Sequence, residues 1–313
     1  MNIAFIAPLR ASWQRTKEIL FRPFELRTWL VMGFTAWLAG LMHSTGGGGS
    51  YNTNFRSGGG PGRAIAQATE EITRAWAKIA AHPGMSVLIA LGIILAIMIV
   101  LLLLWLSSRF KLIFLDNVVT GKAQVAEPWR RLGALGDSLF LWRLCFGIAA
   151  VVVAVVMIVG TLGLGVLGAA GIPRFIHRGL IFVVLLALAV LAVAVVLAFI
   201  GLWVENFIVP IMYRFNLTVL EAWRYFIPWL KSYFGAFAVY GLFVIALAVT
   251  FGLAVVAFGL MTCCIGWIII ALPYVGTVIL LPMWMTYRLL GPEFLKQFSP
   301  EFGLTPGGRD SSH

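Results

Sequence analysis

The sequence predicts an all-α integral membrane protein with six transmembrane helices, interfacial amphipathic helices and an internally duplicated helix–span–span unit. Of its 313 residues, 61% are hydrophobic and only 11% are charged, whereas about a quarter are charged in ordinary soluble domains. Long stretches of the sequence contain no charged residue, and one six-residue pattern recurs at an offset of 94 residues. This composition excludes a disordered chain and an ordinary soluble enzyme.

Charge-free windows locate the spans, because a helix needs about 20 apolar residues to cross a hydrocarbon core about 30 Å thick. The last window, residues 232–287, holds 56 residues, which is enough for two spans joined by a turn near Cys263 and Cys264. We therefore predict a membrane domain at residues 28–290. Its spans lie at about 28–44, 86–107, 144–170, 180–204, 233–258 and 265–287.

The first span is short, because its apolar run from Trp29 to Met42 holds only 14 residues. A run of this length also suits a re-entrant or interfacial segment. Cytoplasmic loops carry an excess of Lys and Arg. With six spans and both termini inside, 17 of the 23 basic residues lie on the cytoplasmic side; without the first span the split is 12 to 11. We therefore expect six spans in a bacterial cytoplasmic membrane, with the N- and C-termini cytoplasmic.

The segments that flank the spans complete the predicted organisation. Residues 1–27 form a cytoplasmic amphipathic segment, and residues 291–313 form a polar cytoplasmic tail. The Gly-rich outer loop 45–63 is typical of a flexible linker. Apolar residues at helical spacing predict an outer amphipathic helix at 64–81, in which Glu70 and Arg74 form an i,i+4 pair on another face.

The internal repeat pairs residues 125–130 with residues 219–224, and the shared pattern is V-x-E-x-W-R. Both copies lie in predicted inner loops, after an even-numbered span and before an odd-numbered one. This equivalence predicts a duplicated unit of interfacial helix, span, outer turn and span. Trp13 and Arg15 precede the first span in the same way, so a diverged third copy remains open.

Each copy of the pattern is suited to the start of a helix at the membrane surface. Thr218 and Glu221 have capping-box spacing, and Pro128 suits the first turn of a helix. The candidate surface for a lipid headgroup or a protein partner comprises Trp129, Arg130, Arg131, Trp223, Arg224 and Lys231. Of the two interpretations, ordinary interfacial anchoring is favoured over a dedicated binding surface. We expect contact with anionic headgroups on the inner face and a membrane-protein partner, but no nucleic acid.

Residues for catalysis and metal binding do not cluster in the sequence. No His-Glu-x-x-His motif is present, and Cys263 and Cys264 are adjacent, which strains a disulfide between them. All twelve acidic residues lie outside the predicted span interiors. The nearest are Asp116, Glu205 and Glu221, at inner ends. We therefore predict no enzyme activity, no catalytic residue, no cofactor and no metal.

Several short motifs occur together in this chain. They are Cys263-Cys264-Ile265-Gly266, Leu272-Pro273-Tyr274-Val275-Gly276-Thr277-Val278, Leu281-Pro282, Tyr287-Arg288, Gly291-Pro292-Glu293-Phe294 and, near the N-terminus, Phe21-Arg22-Pro23-Phe24. With these motifs and the Gly-rich outer loop, most of the chain resembles an uncharacterised family of bacterial polytopic membrane proteins. That family is similar to the non-catalytic membrane domain that precedes some glycerophosphodiester phosphodiesterases. The resemblance implies a polytopic fold and carries no catalytic residues.

Three functional hypotheses follow, in order of preference. The first is a non-enzymatic scaffold or accessory component of the membrane. The second is a transporter or lipid-handling permease, because Pro273 and Pro282 can kink the sixth span. The third is an intramembrane enzyme acting on lipid headgroups, which requires Asp116, Glu205 and Glu221 to converge on one pocket.

Overall fold

The computed structural model describes residues 4–44, 70, 73–74, 83–169, 175–262 and 265–304. Within these ranges the chain is helical, with short connections and no strand. The predicted loop 45–63, most of the predicted helix 64–81, Cys263, Cys264 and the last residues of the polar tail lie outside the described residues. Glu70 and Arg74 are described, and their predicted ion pair is confirmed at 2.5 Å.

The helices are named here in chain order. The first half of the chain contains α1 (Ile6–Phe21), α2 (Leu26–Ser44), α3 (Pro83–Thr120), α4 (Ala126–Arg131) and α5 (Gly133–Ala169). Next come α6 (Phe175–Trp203), a π-helical turn (Val204–Ile208), α7 (Val209–Phe215), α8 (Val219–Ser232) and α9 (Phe234–Met261). The last elements are α10 (Ile265–Ala271), α11 (Val275–Ile279), α12 (Leu281–Leu295) and a 3₁₀ turn (Pro300–Phe302).

Four helical segments are long and apolar enough to cross a membrane. They are Gly84–Thr120, Gly133–Met157, Ala187–Phe215 and Phe234–Met261. In the most apolar window of each, at most 6% of residues are buried within the protein. Apolar side chains that face outward over such lengths are stable in lipid and not in water. The chain is therefore consistent with a membrane protein.

The four segments overlap the second to fifth predicted spans. The first predicted span lies on α2, whose apolar part, Leu26–Leu41, is shorter. The sixth lies on a broken segment that comprises α10, α11 and α12. The six-span count therefore stays a prediction.

Helix α3 continues past residue 107, where its predicted span stops, and reaches Thr120. This part of the helix contains three charged residues, Arg109, Lys111 and Asp116, and each is ion-paired. The side chains of Lys111 and Asp116 are almost completely buried, so they do not need water. At about 1.5 Å per residue, the 38 residues of α3 exceed the thickness of a hydrocarbon core.

The broken segment is interrupted near the two prolines that were predicted to kink it. Pro273 lies between α10 and α11, and Pro282 lies in the first turn of α12. Tyr274 has a φ of 59°, and its hydroxyl donates to the Leu30 carbonyl at 2.9 Å. The next turn needs Gly276, because a Cβ there would lie 2.1 Å from the Ile270 carbonyl oxygen.

The chain divides into two compact units. Unit 1 comprises residues 1–47, 104–142 and 199–313, and unit 2 comprises residues 48–103 and 143–198. Unit 1 has a well-packed interior, whose largest fully buried side chains include Phe207, Phe226, Phe237, Tyr240 and Phe294. The described part of unit 2 consists of long helices with outward-facing Leu, Ile and Val side chains. The ion pairs of Lys111, Asp116 and Arg288 also lie in unit 1.

The two ends of unit 1 are packed together. Ser12 and Thr16 on α1 are fully buried, and each bonds its own helix at 2.8 Å. The Thr286 hydroxyl on α12 donates to the Thr16 hydroxyl at 3.3 Å. The Ala4 amide donates to Gln297 Oε1 at 2.9 Å, and Gln297 Nε2 returns a bond to the Ala4 carbonyl at 2.8 Å.

Candidate functional site

A cluster of three charged side chains lies at the meeting point of α3, α12 and the π-helical turn. Lys111 on α3 forms an ion pair with Glu205 in the turn. Arg288 on α12 lies 3.4 Å from the same carboxylate. Its two Nη atoms also donate to the carbonyls of Glu205 at 3.2 Å and Lys111 at 2.8 Å. We name Lys111, Glu205 and Arg288 the central cluster.

The central cluster is enclosed by protein. The exposed fractions of the side chains are 3% for Lys111, 25% for Glu205 and 10% for Arg288. Removing charges from water is costly unless they are paired and hydrogen-bonded. Here one carboxylate is shared by two cations, and backbone carbonyls accept further bonds from the guanidinium. The cluster therefore stabilises one arrangement of the three elements.

Local backbone features bring these three elements together. The π-helical turn at Val204–Ile208 widens the helix, and Pro210 has no N–H to donate to the Asn206 carbonyl. Gly291 on α12 packs against this turn, since a Cβ there would lie 1.9 Å from the Asn206 oxygen. Arg288 lies about one helical turn before Gly291, so the close approach brings its guanidinium to Glu205.

A second buried carboxylate connects α3 to the short helix α4 and to α7. Asp116 Oδ1 accepts bonds from Arg131 Nη2 and from the Tyr213 hydroxyl, each at 2.5 Å. Arg131 also lies 3.5 Å from Glu127 on its own helix. The Asp116 side chain is 3% exposed, and that of Arg131 is 38% exposed. Asp116 is therefore an internal anchor for α4.

Arg15 on α1 also connects separate elements of unit 1. Its Nη2 donates to the carbonyls of Val119 at 3.0 Å and Leu304 at 3.1 Å. Its Nη1 lies 4.0 Å from the Glu293 carboxylate, which also forms an ion pair with Lys296 at 2.6 Å. One guanidinium therefore joins the end of α3, the end of α12 and the C-terminal segment.

An aromatic clamp connects α3 with α4 and α5. The Arg109 guanidinium lies over the rings of Trp105 and Trp129, at 4.5 and 5.0 Å from their centroids. It also forms two hydrogen bonds with Asp137, at 3.0 and 2.7 Å. Gly136 allows this approach, because a Cβ there would lie 2.7 Å from Arg109 Cγ. Such bidentate and cation–π contacts hold an arginine in one geometry.

The six candidate surface residues from the sequence lie on two helices, α4 and α8. Trp129 lies in the aromatic clamp, and Trp223 packs against Trp142 and Phe226, with ring centroids 6.3 and 6.1 Å apart. Arg130, Arg224 and Lys231 are exposed. The Arg131 side chain is 38% exposed, but its guanidinium bonds the buried Asp116 carboxylate. The two tryptophans therefore contribute to packing, Arg131 contributes to the interior, and the other three cations lie on the surface.

The three carboxylates that were singled out in the sequence have different surroundings. Asp116 and Glu205 are in the buried ion pairs described above. Glu221 is exposed and completes the predicted capping box, accepting from the Thr218 amide at 2.8 Å. The bonds from the Thr218 amide and hydroxyl lower the pKa of the Glu221 carboxyl below its usual value, and Arg224 adds a smaller contribution. The partners of Glu221 belong to the start of its own helix.

No metal centre is formed by the part of the chain that the structure describes, where no group of three or more His, Cys, Asp or Glu side chains could hold an ion. The central cluster was missed in the sequence, where Lys111 and Arg288 were treated as markers of topology. One signal could have found it. Lys111 and Glu205 are separated by 94 residues, the same offset as the repeated pattern.

Comparison with known proteins assigns a family and no activity. Residues 4–295 match the family described as "Family of unknown function (DUF7544)". No curated protein and no solved structure matches the chain. The similarity to membrane domains of glycerophosphodiester phosphodiesterases therefore stays a prediction, as does the bacterial origin. Since the match covers most of the chain, the protein belongs to the family of unknown function DUF7544.

Proposed function

We propose that this chain is a non-enzymatic scaffold or accessory component of a bacterial cytoplasmic membrane, with six spans and both termini cytoplasmic. The observation that carries the proposal is the central cluster, in which Lys111, Glu205 and Arg288 connect three elements through ion pairs and backbone bonds. A rigid frame needs such connections, and their surroundings exclude most water.

The surroundings of the carboxylates support this proposal over headgroup chemistry. A general acid or base needs access to a substrate, whereas Asp116 and Glu205 are engaged with cations of the same chain. Glu221 bonds its own helix start. An enzyme would require the three to share one pocket, and their bonding partners are all different.

We also propose that unit 1 contains three copies of one structural unit. The first consists of the end of α3 with α4 and the start of α5, and the second of α7 with α8 and α9. The third consists of α12 with α1 and α2, so it spans the two ends of the chain. Lys111, Glu205 and Arg288 occupy equivalent positions in this scheme and meet at the central cluster.

A second correspondence supports the relation between the first and third copies. Asp116 follows Lys111 by five positions, and Glu293 follows Arg288 by five. Each carboxylate lies within ion-pair distance of an arginine, Arg131 or Arg15. Each of these arginines comes two positions after a tryptophan, Trp129 or Trp13.

The second copy differs at both of these positions together. Pro210 follows Glu205 by five positions, and Tyr225 comes two positions after Trp223. The carboxylate and the arginine are therefore both replaced, which is expected if they interact with each other in the other copies.

Transport by the purified protein is the test that separates scaffold from transporter. The full chain would be reconstituted into liposomes that contain a pH-sensitive dye, which reports the movement of protons. Light scattering after an osmotic shock with glycerol or potassium phosphate would report the movement of these solutes. The proposal predicts the same rates as in empty liposomes. Faster movement of protons or solute that is lost in Glu205→Gln would contradict it.

A second experiment addresses the accessory role. A photocrosslinking residue would replace Arg130, which is exposed on α4, and matched controls would replace Leu88 or Val151, which are exposed on apolar helices. A scaffold is expected to give a discrete protein adduct from position 130 only. Equal labelling at all three positions would contradict a specific partner at α4.

A transporter or lipid-handling permease is the second candidate function, and the broken segment favours it. Interrupted helices in transporters expose backbone groups that bind substrate. Here the interruption lies at residues 272–274, and the Tyr274 hydroxyl donates to Leu30 on α2. If this candidate is right, Tyr274→Phe changes the rate of solute movement in the same liposomes and leaves the thermal stability nearly unaltered.

A further inference from the structure

We propose that α1 and α8 together form a binding surface for anionic phospholipid headgroups. The surface has two parts, each made of exposed residues on one side of a helix. The α1 face comprises Ile6, Arg10, Trp13, Lys17 and Phe21, and the α8 face comprises Leu220, Arg224, Ile227 and Lys231.

The two faces follow the same order of residue types. Along each helix an apolar residue is followed by a basic residue four positions later, and an apolar residue comes three positions after that. Residues at i, i+4, i+7 and i+11 lie on one side of a helix. The apolar members are well exposed: Ile6 is 61% exposed, Trp13 41% and Leu220 65%.

The opposite sides of both helices face the interior of unit 1. Ser12 and Thr16 are buried beneath the α1 face, and Ala222 and Phe226 are buried beneath the α8 face. The two exposed faces are therefore not part of the folded core. They present apolar side chains and positive charge to whatever surrounds unit 1.

The C-terminal segment contacts both α1 and α8. The Leu304 carbonyl accepts from Arg15 on α1. The Glu301 carbonyl accepts from Arg214 at the end of α7, and the Glu301 carboxylate accepts from the Tyr225 hydroxyl on α8. The two helices are therefore connected through one short stretch of chain.

The α8 face is also adjacent to a candidate membrane span. Helix α8 ends at Ser232, and α9, a candidate span, begins at Phe234. Because α9 is a candidate span, the end of α8 that precedes it lies where hydrocarbon meets water. An apolar side chain at this boundary can enter the acyl region, while a lysine or arginine one turn away reaches the phosphate.

Charge complementarity identifies the occupant. Arg10, Lys17, Arg224 and Lys231 give the two faces four positive charges, and anionic lipids attract basic segments that lie near the headgroups. A soluble anion would satisfy the cations and leave the apolar residues in water. A phospholipid provides both chemistries within one molecule. This inference goes beyond the scaffold proposal, because it applies equally to a transporter.

The test measures binding of a defined lipid to the full chain in an uncharged detergent. Short-chain phosphatidylglycerol would be titrated against the wild type, Arg10→Gln/Lys17→Gln and Arg224→Gln/Lys231→Gln. The matched control is Arg27→Gln/Lys122→Gln, which removes the same charge from exposed positions outside the two faces. Short-chain phosphatidylcholine tests whether binding requires a negatively charged headgroup. Glycerol phosphate tests whether binding requires the acyl chains as well as the phosphate. Thermal unfolding verifies that each variant is folded.

We expect phosphatidylglycerol to bind the wild type more tightly than phosphatidylcholine or glycerol phosphate does. The apparent Kd should rise about fivefold for each cation removed from a face, and roughly 25-fold for a pair. It should change less in the control pair. Equal binding of the two lipids, equal loss in the control pair, or tight binding of glycerol phosphate alone would each overturn the proposal. So would a partner protein that phosphatidylglycerol does not displace from the two faces.

Discussion

Arg131 reaches back across the loop between α3 and α4 to Asp116, and its Nη2 lies 2.5 Å from the carboxylate. The two partners are not equivalent, because Asp116 is almost fully buried and Arg131 is more than one third exposed. Removal of either one breaks the same contact with different consequences. This asymmetry can be measured.

Arg131→Ala is expected to destabilise the protein more than Asp116→Ala does. The first change leaves the buried Asp116 carboxylate without its cation, and an uncompensated buried charge costs about 3–5 kcal/mol. The second leaves a guanidinium that is 38% exposed and can be hydrated, so it costs about 1–2 kcal/mol. The free energy of unfolding in detergent, followed by helical signal during titration with a denaturing detergent, measures both. Equal losses would show that the buried position of Asp116 has no energetic consequence.

Glu205→Leu is expected to be the most destabilising single change in the central cluster. It leaves Lys111 and Arg288 close together without their shared carboxylate, and an uncompensated buried charge costs about 3–5 kcal/mol. Lys111→Met combined with Glu205→Leu should be less harmful than Glu205→Leu alone. Glu127→Gln serves as the control, since its side chain is 63% exposed. If the double variant is as unstable as the single one, the ion pair does not determine the effect.

Gly291→Ala is expected to separate α12 from the π-helical turn. The new Cβ would lie 1.9 Å from the Asn206 carbonyl oxygen, so the backbone of one element must move. Overpacking of this kind costs about 1–3 kcal/mol. Gly252→Ala is a matched control, because nothing lies within 4 Å of a Cβ at that position of α9. There the substitution should be neutral or stabilising by up to about 1 kcal/mol. Equal melting temperatures for the two variants would contradict the close approach.

The pH dependence of stability should report on the cap of α8. The pKa of Glu221 is lowered from 4.5 in the folded state, first by the Thr218 amide and then by its hydroxyl. The ionised carboxylate therefore stabilises the fold above the unfolded pKa of about 4.5, and this contribution is lost as pH falls through the lower folded pKa. The difference in unfolding free energy between wild type and Glu221→Gln should shrink over that acidic range. A difference independent of pH would contradict the capping role.

Local signals were enough to predict part of this structure. The capping box of Thr218 and Glu221 lies within four residues, and the pair of Glu70 and Arg74 within five. The four long apolar helices overlap predicted spans because the length and hydropathy of an apolar run can be read directly from the sequence. Each of these features depends on residues that are neighbours in the chain.

Features formed by distant residues were not predicted. Lys111, Glu205 and Arg288 come from three separate segments, and a charge near the end of an apolar run has the same appearance whether it faces water or a partner. For this reason the continuation of α3 to Thr120 was not predicted. The break in the predicted sixth span was indicated by Pro273 and Pro282, but the contact of Tyr274 with Leu30 was not.

The packing of α1 against α12 imposes an order on biogenesis. The polar, buried side of α1, with Ser12 and Thr16, contacts α12 at Thr286. A ribosome makes α1 among the first helices of this chain and α12 among the last. At roughly 5–20 residues per second, the interval is on the order of tens of seconds. During that time the side of α1 that α12 covers in the folded chain has no partner from α12, so a chain released before α12 is made would leave Ser12 and Thr16 uncovered.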